Sequence, residues 1–273
     1  MSPPVFCGLA AYALYTRWSG ATLVIDAHTG AFNNKRWRRL QWLQDWVGRR
    51  AATTIVTNDY LKQQVTAWNA HAFVLTDVPV IPTEQRQVHL DEAQFNIVVV
   101  STASYDEPIA QILEAAARMP GVTFYITGNY AARQDIIGTA PGNVRFTGYI
   151  PDDEFYGLLG AAQTIMCLTT ENHTIQSGAG EALWLGRPII TSDWPLLREY
   201  FSTGTIYVNN TADGIQQAVM KMRDNLQSFE AEIQALQANR RQEWLDKTSA
   251  LMALIQQTTG TRPAGKRDER ASV

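Results

Sequence analysis

The chain has 273 residues, of which 45% are hydrophobic and 18% charged, an ordinary globular composition with enough length for two cored domains. The formal net charge of -3 argues against nucleic acid as the main partner. Two distant cysteines, Cys7 and Cys167, give neither a disulfide framework nor a zinc spacing, and no apolar run reaches membrane-spanning length; with no leader pattern at the N-terminus, a cytoplasmic protein is expected.

Short β-rich runs alternate with helical patterns as far as Asn225. Thr22–Ile25, which leads into Asp26, then Ala52–Thr57 and Phe73–Leu75, read as strands; Lys35–Ala51 and Asp59–Trp68 read as helices between them. That order predicts parallel strands with crossover helices. No βα unit is recognisable before Thr22, so residues 1–79 are expected to form a partial Rossmann-like domain. The pattern breaks from Asp77 to Glu92, where Pro79 and Pro82 fall in a polar run, and residues 80–93 are expected to be an interdomain linker.

A second series fills residues 94–227. Its strands are Phe95–Val100, Val122–Thr127, Val144–Thr147, Thr164–Leu168, Pro188–Thr191 and Thr205–Val208. Helical patterns follow them over Pro108–Met119, Ala131–Ile137, Asp152–Ala162, Gly178–Leu185, Pro195–Phe201 and Ala212–Leu226. Six strands with intervening helices make a complete doubly wound domain. A long helix is expected over residues 228–258 and a disordered polar tail over 259–273.

Open α/β sheets bind ligands beyond the carboxyl ends of their strands. Small and polar residues gather there: Ser101, Thr102 and Ser104 after the first strand, Gly128-Asn129 after the second, Gly148-Tyr149 after the third, and Thr169–Glu181 after the fourth. In the last of these, Ser177-Gly178-Ala179-Gly180 opens a helix whose free backbone N–H groups and dipole suit a phosphate. Glu181, in its first turn, can accept hydrogen bonds from sugar or ribose hydroxyls. The plainer reading is a helix start built of small residues for close packing.

The segment Glu181-Ala182-Leu183-Trp184-Leu185-Gly186-Arg187-Pro188-Ile189-Ile190 after this loop resembles the donor-site signature of family 4 glycosyltransferases, and Val144–Ile150 and Trp194–Tyr200 resemble further motifs of that family. The likeness spans Asn96 to Trp244, and more weakly Leu23 to Pro79. It implies a GT-B-like α/β fold of two Rossmann-like doubly wound domains, the N-terminal one incomplete, and sugar transfer from a nucleoside-diphosphate sugar with retention of configuration. The donor is the substrate, and neither a cofactor nor a metal is implied. By the same resemblance Glu181 would bind the ribose, Thr174 to Gly180 would face the diphosphate and sugar, and Gly148 and Tyr149 would lie against the base. The donor phosphate would assist deprotonation of the acceptor hydroxyl, while the protein stabilises the departing diphosphate.

The chain departs from the family in two places. His173 stands where the first of two glutamates would precede Glu181 by eight positions, with Glu171 two residues earlier. A basic pair is replaced by Ser101-Thr102-Ala103-Ser104-Tyr105-Asp106-Glu107, so Ser101, Thr102 and Ser104 become candidate hydroxyl donors to the diphosphate. Arg133 and Arg187 are candidates to supply the missing charge from elsewhere. His173 is a candidate catalytic residue by its place on the ligand edge, and His28, in Asp26-Ala27-His28-Thr29-Gly30 after a strand of the first domain, is the other. The plainer reading of His173 is a loop histidine hydrogen-bonded to backbone, and that of His28 is that it and Asp26 merely order their loop.

Residues 33–50 hold three tryptophans and six basic residues. Such a stretch suits an anionic membrane surface, where lipid-linked acceptors reside, and peripheral contact with the inner face of the membrane is one expectation. The other is a core helix with Leu40, Leu43 and Val47 inward and a solvated basic face. The expected partners are a nucleotide sugar and a glycan or lipid-linked acceptor. Two rivals remain: a non-catalytic nucleotide-sugar-binding partner of a glycosyltransferase, and a sugar-nucleotide epimerase on the same fold.

Overall fold

The computed structural model describes residues 4–16, 19, 21–33 and 38–260. The chain divides into two compact units, Met1–Asp77 with Gln242–Val273, and Val78–Arg241.

The first unit opens on α1 (Pro4–Ala11), which runs into a π-helical turn over Tyr12–Thr16. Neither is visible as a period in the sequence, because the run is apolar on every side. A parallel sheet follows in the order β1-β2-β3, from Val24–Asp26, Thr53–Val56 and Ala72–Val74. Its helices are α2 (Thr29–Asn33), α3 (Gln41–Gly48, preceded by a 3-10 turn) and α4 (Asp59–Ala67). The expected helix over Lys35–Ala51 thus begins later than the pattern suggests, and Lys35 to Trp37 lie outside the described residues. Asn58 caps α4 by accepting from the Leu61 amide at 3.0 Å. Ala27, Phe32, Val56, Leu61 and Val65 make the small core, with Phe32 stacked on Trp68.

The second unit carries six parallel strands: β4 (Phe95–Val99), β5 (Val122–Thr127), β6 (Val144–Gly148), β7 (Thr164–Cys167), β8 (Ile189–Ser192) and β9 (Thr205–Val208). Their order, β6-β5-β4-β7-β8-β9, is the doubly wound order with its reversal between β4 and β7. Every residue of β4, β7 and β8 is buried, as strands covered on both faces require. The crossover helices are α5 (Ile109–Ala117), α6 (Gln134–Ile137), α7 (Asp152–Ala161), α8 (Ser177–Trp184), α9 (Pro195–Tyr200) and α10 (Ala212–Asp224). Thr211 caps α10 through the Gly214 amide at 3.1 Å.

Two boundaries differ from the sequence reading. Residues 80–93 are no free linker: Ile81, Val88 and Leu90 pack against the second unit's core, and Arg86 takes the Asp153 carbonyl and pairs with Asp153 and Glu154. The segment lacks a period because it forms no ladder, yet its apolar residues are covered. The long helix α11 runs over Leu226–Gly260, beginning before and ending after the expected span. Phe229, Ile233 and Leu236 join the core of the second unit, and the part from Gln242 onward belongs to the first, where the Thr259 hydroxyl meets that of Thr22 at 3.2 Å. Leu245 is exposed. Residues 261–273 lie outside the described residues.

Candidate donor site

A cavity of about 640 Å³ opens at the carboxyl edge of the second unit, where the strand order reverses. Four strand-end loops wall it. Ser101, Thr102 and Ser104 come from the loop after β4, Gly128 and Asn129 from that after β5, Gly148 and Tyr149 from that after β6, and Thr174 with Ser177, Gly178 and Glu181 from β7 to α8. The two glycines at strand ends both have positive φ, 97° at Gly128 and 68° at Gly148. At Gly128 a Cβ would lie 2.5 Å from the Ser101 carbonyl oxygen, so only glycine lets the β4 and β5 loops approach so closely.

Helix α8 presents its first turn to the cavity. Ser177 and Gly178 supply amides that a helix leaves without intrahelical acceptors. Gly178 is buried because α8 lies directly on β4 and β7: a Cβ there would meet Val100 Cγ1 at 2.5 Å and Cys167 Sγ at 2.9 Å. Gly180 is different. It lies outside the cavity wall, and nothing stands within 4 Å of where its Cβ would be. Glu181, one turn in, is half-buried, and the Tyr156 hydroxyl donates to its Oε1 at 3.5 Å. Burial raises the Glu181 carboxyl above its usual range, against the Tyr156 hydrogen bond and with help from Asp152. Burial, with the Glu181 and Asp152 charges, pushes Tyr156 up to about 12.

The loop after β4 is organised by a residue that the sequence reading treated only as a departure. The Glu107 carboxylate accepts from the Ser101 hydroxyl (2.5 Å), the Thr102 amide and hydroxyl (2.9 and 3.1 Å) and the Ser104 amide (3.1 Å). Ser101 and Thr102 thus direct their hydroxyl protons to Glu107, and Ser101 Oγ also touches the Tyr130 hydroxyl at 2.5 Å. Asp106 ties this loop to the one after β7, accepting from the Thr169 hydroxyl at 2.6 Å and giving its carbonyl to the Thr170 amide at 2.8 Å. Ala103 and His173, on these two loops, both adopt left-handed backbone (φ 59° and 63°), an uncommon conformation for residues other than glycine. Glu107→Ala is expected to cost about 2 kcal/mol of stability and to speed amide exchange over residues 101–107, since it strands several donors at once; thermal unfolding with hydrogen exchange checks both.

The profile of the glycosyl transferase-like family matches residues 107–250. This chain belongs to that family. A comparison with curated proteins finds no match. Among solved structures, sucrose-phosphate synthase from Thermosynechococcus elongatus superposes with a TM-score of 0.72 at 15% identity, covering 94% of this chain and 73% of that one. The Anabaena protein HepE, solved with UDP and glucose, gives 0.70 at 13% identity, covering 91% and 74%. The pneumococcal O-GlcNAc transferase GtfA, solved with UDP and GlcNAc, gives 0.64 at 16% identity, covering 86% and 53%. At these identities the likeness shows the fold, the α/β GT-B class with parallel sheets.

Within this glycosyl transferase-like chain, the cavity is acidic. Asp106, Glu107, Asp152 and Glu181 line it, and among the described residues lining it there is no lysine, arginine or histidine. Neither sequence candidate for the missing cation reaches it. Arg133 pairs with Asp135 beside a neighbouring cavity, and Arg187 donates to the Gly160 carbonyl. His173 stands next to Thr174 but outside the wall, its amide held by the Asn172 side chain at 2.7 Å. His28 lies in the first unit, with Nε2 3.3 Å from Asp26 Oδ2 and Nδ1 3.1 Å from Asp77 Oδ2. Burial raises the Asp77 carboxyl, the His28 charge lowers it and Asp26 raises it. Sequence reasoning missed Asp106, Glu107 and Asp152 as lining residues. Asp152 had a signal, an acid opening a helix after a strand-end glycine and tyrosine; Asp106 and Glu107 had none, because their partners are set by folding. Cys167 borders the cavity, but full burial raises its thiol, which keeps it protonated.

Proposed function

We propose that this chain transfers a sugar from a nucleoside-diphosphate sugar to a glycan or lipid-linked acceptor, with retention of configuration. The observation that carries this reading is the cavity at the sheet reversal, walled by the first turn of α8 and holding the Glu181 carboxylate inside it. The α8 amides of Ser177 and Gly178 would face the diphosphate, with Thr174 beside the donor sugar. Glu181 would accept from the ribose hydroxyls, and the exposed Tyr149 ring, with Gly148, would lie against the base. No nucleophile from the protein is needed: the departing phosphate assists the acceptor hydroxyl, and the α8 dipole stabilises the charge that develops. His28 and His173 would serve sugar or acceptor contacts rather than phosphate binding.

One observation favours a second reading. Four carboxylates and no cation among the described lining residues leave the charge of a departing diphosphate without a basic partner, which suits a protein that holds a nucleotide sugar through its sugar, ribose and base without turning it over. Incubation with uridine, guanosine and adenosine-diphosphate sugars separates the alternatives. Hydrolysis or transfer supports the transferase, binding without turnover supports the non-catalytic partner, and an epimerised free donor supports an epimerase. Failure of every nucleotide sugar to bind removes the donor site altogether.

A further inference from the structure

No residue from Pro4 to Thr16 is charged. One side of this run is accounted for. Gly8 lets α1 settle on α3, where a Cβ would lie 3.2 Å from Val47 Cγ1, and the Tyr12 ring meets Trp46 edge-on with centroids 5.3 Å apart. The other side is just as apolar and faces outward. Leu14 is 68% exposed and Tyr15 64%, with Cys7, Ala10 and Ala13 exposed between them and Phe6. On α3, Trp42 adds an indole that is 63% exposed. A helix that is apolar all round is normally covered, and large aromatic and aliphatic groups in water mark a contact surface.

The charge beside this patch bears on what covers it. In the sequence, residues 33–50 hold six basic residues against one acid, Asp45, in a chain whose overall charge is negative, and Arg39, Arg49 and Arg50 of these have described side chains. Arg49 is matched by Asp45 at 2.9 Å. Arg39 is exposed, the Arg50 guanidinium lies 3.7 Å over the Trp46 ring, and neither pairs with a carboxylate among the described residues. Apolar and aromatic groups set beside unmatched arginines are the composition of an interfacial segment, in which tryptophan and tyrosine sit at headgroup depth and the cations meet lipid phosphates. A second copy of the chain fits less well, because a two-fold contact would oppose the two basic stretches. No described helix is long and apolar enough to cross a membrane, so the contact is one of surface docking.

We propose that the α1–α3 face of the first unit, with Leu14, Tyr15 and Trp42 at its centre, docks on an anionic lipid bilayer. The test is sedimentation of the full chain with vesicles of phosphatidylcholine alone or with roughly a third phosphatidylglycerol. Binding is expected only with the anionic vesicles, and it should weaken several-fold when salt is raised to about 0.5 M. The double variant Leu14→Ser, Trp42→Ser should bind roughly tenfold more weakly, since both side chains lose their insertion into the interface, whereas Trp42→Phe should bind nearly as wild type. All these side chains are exposed, so the variants should unfold at the wild-type temperature and keep nucleotide-sugar affinity. Sedimentation is read without a nucleotide sugar, so the result stands or falls independently of the donor-site reading. Three results overturn the proposal: no sedimentation with anionic vesicles, equal sedimentation of the double variant, or a solution dimer by light scattering that the double variant disperses.

Discussion

Replacing Glu181 by alanine is expected to weaken binding of a nucleoside-diphosphate sugar about 10- to 100-fold in titration calorimetry, the equivalent of about 1.5–3 kcal/mol for hydrogen bonds to a charged group. The carboxylate is half-buried and lines the cavity, and among the described residues the Tyr156 hydroxyl alone donates to it, at 3.5 Å, which leaves accepting capacity for a ligand. Glu181→Gln separates function from stability. Because burial raises the folded carboxyl above its unfolded value, the folded state binds the proton more tightly. The favourable contribution is complete below the unfolded pKa and is lost as pH rises through the folded one. At neutral pH the native state therefore carries a carboxylate at a cost. The Gln variant should melt higher than wild type at neutral pH, with the advantage disappearing in acid, while its donor affinity falls. Unchanged affinity in both variants would take Glu181 out of the donor site.

The second large effect concerns two glycines that look alike in the chain. Gly178→Val should destabilise the second unit by about 3 kcal/mol and reduce donor binding, because its Cβ would press on Val100 and Cys167 where α8 meets the sheet. Gly180→Ala should do the opposite. Its Cβ enters open space within α8, so helix propensity alone predicts a gain of about 1 kcal/mol with nucleotide binding intact. Chemical denaturation of the pair, with calorimetry on each, checks both. A Gly178 variant as stable as wild type would mean that α8 is free to retreat from β4.

These two glycines also mark how far the site was legible in the chain. The strand-end placement of Gly128, Gly148, Ser177 and Glu181 follows from reading strands and helices in order, since doubly wound sheets gather ligand residues on one edge. What the order does not give is the direction in which each side chain turns. Ser101 and Thr102 reach the cavity's wall, but their hydroxyls go to Glu107 because that carboxylate, six residues after Ser101, folds back over the loop. Arg133 and Arg187 are close to the site in sequence and yet are held by Asp135 and by the Gly160 carbonyl. The strap at 80–93 shows the same limit on a larger scale. Burial without a ladder leaves no period to read.

By itself, the amino-acid sequence determined the nine strands found among the described residues, most of the helices and the gathering of small and polar residues at the strands' carboxyl edge, because these depend on local periodicity and on the handedness of βα crossovers. Tertiary structure alone decided that Gly178 is pinned and Gly180 free, that Glu107 binds the β4 loop, and that the cavity's described walls carry four carboxylates without a cation. Those outcomes depend on distances between residues far apart in the chain, and only the packing of one loop against another sets such distances.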